Sequence, residues 1–249
     1  MIALKNELIK LFSKKKYIVF LIIALAIVLI RFLGTVIIGG MAHWALNNGF
    51  ELGKGMASVY DMVSFNVRIF TPFMVFLAVS DLFPSEIQED TIKSVLSQPI
   101  TRGRVLAVKS VAVLIIGCVC YFSLYLMCLF MQIISGGGFN NAFTVFLAYV
   151  IDLIPLMSVI IMSVCISLML KGPALSLLVS VIVYLALTYL SYYNGTVGSF
   201  MFTSYLEWHK LLLGSTVPFY VILSKTGIVA GSILILYSIS YIIFDKMDF

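Results

Sequence analysis

Apolar residues in this chain come in long unbroken blocks separated by short polar punctuation. Six blocks reach the length of about 20 residues that a helix needs to cross a bilayer: roughly 17–39, 58–83, 104–134, 142–170, 173–193 and 226–244. Barrel strands are short and alternate, so the continuity of these runs predicts helices. The third and fourth blocks exceed the minimum and are expected to tilt or to project beyond the hydrocarbon. The first, "YIVFLIIALAIVLIRFLGTVIIG", is longer than a signal-peptide core and is interrupted by Arg31 in its far half, so it is expected to stay in the membrane. No internal repeat is visible.

The polar punctuation is uneven. The opening "MIALKNELIKLFSKKKY" places Leu4, Leu8, Leu11 and Phe12 on one helical face and Lys5, Glu7, Lys10 and Lys14 largely elsewhere. That spacing predicts an interfacial helix over residues 1–16, its lysines near anionic headgroups. Two outer segments, 40–57 and 194–225, are substantial. The second is too apolar for an ordinary loop and too broken for a span, which fits re-entrant or interfacial helices with Tyr205, Trp208 and Tyr220 at headgroup level.

The most polar stretch is "PSEIQEDTIKSVLSQPITRGRV", residues 84–105, with three acids, three bases and two prolines. Pro84 interrupts the second span. Ser85 is placed to cap a new helix, and Gln88 three residues later completes a capping-box pattern. Glu86, Glu89 and Asp90 favour the positive end of the helix dipole, Lys93 lies nearer the other end, and Pro99 closes the segment. These signals predict an independent helix over 85–97, about three turns long, with Ile87, Thr91 and Val95 along one side. Thr101 then caps the third span, with Arg102 and Arg104 at its root.

Charge orients the bundle. Six spans put both termini on one side, together with Lys5, Lys10, Lys14, Lys15, Lys16, Lys93, Arg102, Arg104, Lys109, Lys171 and Lys246; Lys54, Lys210 and Lys225 face the other side. This asymmetry predicts cytoplasmic termini. Composition agrees with a membrane setting: 62% of the 249 residues are hydrophobic, 11% are charged, and mean hydropathy is +1.12. The net charge of +5 reflects this topogenic bias rather than nucleic-acid binding. Arg31, Arg68 and Asp152 fall within spans, where a charge costs about 2.5–3.5 kcal/mol on insertion scales. Each is therefore expected to face protein or water. Arg68 and Asp152 lie at similar depth, about 15 Å from the outer surface, close enough to pair. They are candidates for a polar path lining, with Phe73 and Met74 as apolar neighbours; a structural ion pair, or Arg31 snorkelling outward, is the plainer reading. Pro155 is expected to kink span four. Asp61 and Asp81, near the ends of span two, are explained by solvation or capping.

Other motifs carry little. Cys118, Cys120, Cys128 and Cys165 lie in apolar runs and read as small buried hydrophobes. "GIVAG", Gly227 to Gly231, matches a close-packing pattern. "NNGFELGKG" fails the phosphate-loop pattern, and His43 and His209 lack a metal-ligand companion. "NGT" at Asn194 is a formal glycosylation sequon. No ATPase or hydrolase motif is present, so the chain is not expected to be an enzyme or to bind a cofactor.

The string "E…TIKSVLSQPITRGRVLAVK" resembles the cytoplasmic loop of ABC-2 type transporter permeases, in which an acidic residue precedes a "GTIK"-like step, then "P-x-x-R" and a lysine. Glu89, Thr91, Ile92, Lys93, Pro99, Arg102 and Lys109 take those places, with Asp90 where many members carry glycine. The resemblance extends to the basic interfacial start, the six spans and the semi-apolar segment before the last. It implies an all-α integral membrane fold, a single permease domain over 1–249. The helix at 85–97 would be a coupling helix seated in a separate ATPase subunit that holds ATP and Mg²⁺. Ser85, Glu86, Gln88, Glu89, Thr91, Ile92, Lys93, Val95, Pro99 and Arg102 would form the coupling set. It further implies a second permease copy or a related permease as partner, in the cell membrane of a bacterium. The short external loops suggest export of an amphipathic or hydrophobic substrate, peptide or drug-like, including antimicrobial-peptide immunity. The alternatives are an ion-coupled secondary transporter and a non-transporting membrane scaffold or sensor. The first needs titratable groups along a path, and only Asp152 is well placed.

Overall fold

The computed structural model describes residues 2–47, 59–89, 91, 101–134, 142–170, 172–193, 198, 201–206 and 219–247. Among them, the chain forms α1 (Ile2–Phe12), α2 (Lys15–Asn47), α3 (Val59–Leu82), α4 (Pro84–Gln88), α5 (Arg102–Ile134), α6 (Ala142–Ile151), α7 (Leu153–Met169), α8 (Pro173–Tyr193), a 3-10 turn (Phe202–Tyr205) and α9 (Phe219–Asp245). Six helical stretches are long and apolar enough to cross a membrane, as the hydropathy blocks predict. Two boundaries move: α2 runs on to Asn47 and α9 begins at Phe219, so each takes in residues expected in an outer segment. Most of the expected 194–225 segment lies outside the described residues.

The layers follow from burial. In the membrane-crossing stretch that begins in α3, 72% of residues are buried inside the bundle, and in the α7 stretch 67%, against 17% for α8 and α9. α3 and α7 are therefore the inner rods, with α5 packed along them. α2, α8 and α9 form an outer shell whose Ile22, Ile30, Ile182, Leu234 and Ile235 face outward. Such an apolar exterior suits acyl chains and not water. Gly117 of α5 permits close packing at the centre: a Cβ there would lie 3.3 Å from Leu156 and 3.4 Å from Val75. The Gly227/Gly231 pair is not used this way, since a Cβ at either would meet nothing within 4 Å.

Two prolines shape the inner rods differently. Pro72 sits within α3 and withholds the amide that would bond the Arg68 carbonyl one turn back. The Tyr184 hydroxyl, from α8, donates to that carbonyl at 2.7 Å, and α3 continues. Pro155 likewise withholds a donor from Ile151. Here the helix is interrupted for one residue, α6 ending at Ile151 and α7 starting at Leu153, where the sequence predicts a kink. Buried serines fasten α7 to its neighbours: Ser163 to Ser180 at 3.3 Å, Ser167 to Ser176 at 2.5 Å, and Ser158 to Ser232 at 3.3 Å.

Candidate functional site

α1, the end of α3, α4, the root of α5 and the end of α9 meet at one pole of the bundle. α1 closes where the Ser13 hydroxyl bonds back to the Ile9 carbonyl at 2.6 Å, a local competitor with the helix ladder. Its packed face holds Leu4, Leu8 and Leu11, and also Glu7, which is buried. Phe12, expected among the packed residues, is half exposed and faces away. The amphipathic pattern therefore holds for the leucines and is corrected at Glu7 and Phe12.

Glu7 is buried because Lys109 waits for it. Lys109 lies on α5 within the packed stripe of Val105, Leu106, Ala112, Val113 and Ile116, and is 0% exposed. Its ammonium is 2.7 Å from Glu86 Oε2, 3.0 Å from the Leu82 carbonyl and 3.2 Å from Glu7 Oε1. The Phe83 ring centre is 5.8 Å away. Lys10, also on α1, donates to Glu86 Oε1 at 3.1 Å and lies 3.7 Å from Glu7 Oε2. Two ammoniums, the buried Lys109 and the half-exposed Lys10, thus face two buried carboxylates. Burial alone would lower the Lys10 pKa, but the hydrogen bond and charge of Glu86, joined by Glu7, outweigh it and hold Lys10 above the ordinary lysine value.

A second ionic contact sits one turn back on α3. Asp81 accepts the Tyr17 hydroxyl and the Lys16 ammonium, each at 2.5 Å, and lies 3.3 Å from Lys14. Solvation or capping does not account for Asp81, which is buried. Lys10, Lys14 and Lys16 meet carboxylates of α3 and α4 while their side chains stay nearly half exposed.

The third contact joins the root of α5 to the other end of the chain. Arg102 Nη1 donates to the carbonyls of Phe244, Asp245 and Met247 at 3.0, 2.6 and 3.0 Å, filling acceptors that the end of α9 leaves open. The Tyr237 hydroxyl donates to the Gly103 carbonyl at 3.2 Å. The position fits glycine, for a Cβ there would come 3.1 Å from the Tyr241 ring.

Between α1 and α4 these contacts leave a cleft of about 360 Å³, lined by Lys10, Ser13, Lys14, Ser85, Glu89 and Thr91 among others. α4 itself departs from expectation. It starts at Pro84, with Phe83 at the N-cap, and closes at Gln88. The capping box does not form: the Ser85 hydroxyl donates to Glu89 Oε1 at 3.2 Å. Glu89 is at the C-cap, and Thr91 bonds back to the Glu86 carbonyl at 3.3 Å. Of the helix expected over 85–97, the described residues show a short helix that closes at Gln88; residues 90 and 92–97 lie outside the described residues. Ile92, Lys93, Val95 and Pro99 lie outside the described residues.

The intramembrane candidates lie on α2, on α3 and at the junction of α6 and α7. Asp152, buried at the break between α6 and α7, accepts the Tyr121 hydroxyl at 2.8 Å. Tyr149 packs edge-on against Tyr121 and at a tilt against Tyr125. Met74 is in the hydrophobic core, while Phe73 is partly buried and tilted against Phe76. Arg31 is partly buried on α2, and Arg68 is partly buried on α3 with its carbonyl taken by Tyr184.

Neither characterised proteins nor solved structures give a significant match to this chain. A family profile for ABC-2 family transporter proteins matches residues 3–188, from α1 through most of α8, and so covers Glu7, Glu86, Lys109 and the cleft. Six membrane-crossing helices and a profile spanning most of their length lead to one conclusion: the chain belongs to the ABC-2 transporter family and is a multi-pass membrane permease.

Proposed function

We propose that this chain is the permease subunit of an ATP-driven exporter. A separate ABC ATPase docks at the pole carrying α4 and holds the ATP and Mg²⁺; its nucleotide cycle moves the membrane helices. The observation that carries the reading is the mounting of α4. Glu86 ties it to α1 and α5, and the next described helix after α4 begins with Arg102 clasping the end of α9. A displacement applied to this segment is passed to several spans instead of being absorbed by a loose loop. The lysine and arginine bias supports a cytoplasmic location for this pole. Ser85, Gln88, Glu89 and Thr91 border or sit beside the cleft, with Ile92, Lys93, Val95 and Pro99 next in sequence, as the contact set for the ATPase.

The cargo class that fits the apolar, aromatic interior is amphipathic or hydrophobic, peptide or drug-like. The path runs beside a second permease copy or a related permease, and Arg31, Arg68, Asp152, Phe73 and Met74 are its candidate neighbours. The test is co-purification with an ABC ATPase followed by hydrolysis measurements in lipid. Glu89→Lys, or Gly-Gly in place of Thr91-Ile92, should preserve membrane insertion and break the coupling of hydrolysis to transport. Normal coupling in both variants would overturn the reading.

A further inference from the structure

A helix that only anchors a chain to headgroups needs an apolar inner face. α1 places Glu7 in the middle of that face, between Leu4, Leu8 and Leu11. Hydrophobic side chains often replace buried ion pairs at no loss of stability, so anchoring does not explain a buried carboxylate here. The geometry does. A lysine ammonium has three protons on a tetrahedral nitrogen. Lys109 spends two on hydrogen bonds, to Glu86 Oε2 on α4 and to the Leu82 carbonyl at the end of α3, and its charge pairs with Glu7 Oε1 on α1 at 3.2 Å. The lysine itself comes from α5, so one buried nitrogen joins four elements. Lys10 adds a second bond from α1 to the same Glu86.

We infer that Lys109 and Glu7 are positioning residues of the coupling element, and that α1, α4 and the root of α5 move as one rigid piece. This rests on the reading of the α4 pole as the ATPase contact. Separating α1 from α4 takes a buried carboxylate away from a buried ammonium, and losing one partner of such a pair is costly. Sliding is also resisted, because two hydrogen bonds and an ion pair converge on one buried nitrogen. α1 is thus part of the moving transmission and not a passive raft.

The discriminating variant is Glu7→Leu, which improves α1 as an apolar anchor while removing its link to Lys109. It also avoids the folding risk of Lys109→Met, which strands two acids. In the full chain reconstituted alone in lipid nanodiscs, with Cys118, Cys120, Cys128 and Cys165 changed to Ala, a Leu11→Cys probe reports α1 seating, since Leu11 is 0% exposed. Maleimide labelling should be blocked with Glu7 present, unblocked in Glu7→Leu, and largely blocked again in Glu7→Asp. Continued protection in Glu7→Leu overturns the positioning role, whatever the fate of the ATPase reading.

The second arm uses the complex with the co-purifying ATPase and spin labels at Phe12→Cys, Arg104→Cys and Leu178→Cys. A non-hydrolysable ATP analogue should shift the 12–178 distance and leave 12–104 unchanged, and Glu7→Leu should abolish the 12–178 shift. A nucleotide-dependent change in 12–104, or a retained shift in Glu7→Leu, overturns the rigid-piece claim. Failure of any ATPase to bind overturns the coupling reading instead, and the labelling arm still decides the positioning of α1.

Discussion

Lys109 Nζ lies 2.7 Å from Glu86 Oε2, and both residues are buried. Removing one partner of such a pair is costly because the other stays buried and charged. Lys109→Met should lower stability by about 3–5 kcal/mol. Lys109→Met combined with Glu7→Leu and Glu86→Leu should recover much of that loss. Thermal unfolding in lipid nanodiscs measures both; a triple variant no better than the single would contradict the ionic origin of the effect.

The bond from Tyr184 to the Arg68 carbonyl exists because Pro72 supplies no amide. Tyr184→Phe should therefore cost about 1–3 kcal/mol, the usual penalty for a buried acceptor deprived of its donor. In a Pro72→Ala background, where the helix ladder supplies an amide, the same substitution should cost distinctly less. A double-mutant cycle reads the difference, and equal costs in both backgrounds would refute the compensation.

The glycines separate by their surroundings. Gly117→Ala pushes a methyl against Leu156 and Val75, both buried, and should destabilise by about 1–3 kcal/mol through overpacking. Gly227→Ala and Gly231→Ala meet open space and should stabilise the isolated chain by about 0.5–1 kcal/mol through helix propensity. Loss of stability at Gly231 in the isolated chain would show that its face is in contact after all.

Lys10 is held above the ordinary lysine pKa, with Glu86 and Glu7 outweighing burial. A raised value means that its contribution to stability is complete below the unfolded lysine pKa of about 10.4 and is lost as pH rises through the higher folded value. The Lys10 tether of α1 should therefore be constant from pH 6 to 9 and weaken only in strong alkali. NMR titration of ¹³C-dimethylated lysines should find Lys10 titrating higher in the parent chain than in Glu86→Gln. The reverse order would rule out Glu86 as the cause.

The spans were readable because hydropathy is a local property: α8 runs from Pro173 to Tyr193 as the apolar block predicts. The ionic pole was not, because a charge read locally is expected in water. Lys10 and Glu86 are 76 residues apart and Tyr17 and Asp81 are 64 apart, so no window contains both partners. A signal existed nonetheless. Lys109 falls in register with Val105, Leu106, Val113 and Ile116, and Glu7 with Leu4, Leu8 and Leu11, so each charge occupies a packing position of its helix. The cap of α4 was misread because Phe83 takes the N-cap position and Ser85 spends its hydroxyl on the Glu89 side chain.

The interruption at Asp152 divides the fourth crossing into two helical arms. Its lower arm, α7, is stapled by Ser158, Ser163 and Ser167 to the neighbouring rods, while its upper arm, α6, lodges Tyr149 beside Tyr121 and Tyr125 of α5. The two arms are thus held by unlike chemistry, hydroxyl pairs along α7 and packed aromatic rings beside α6.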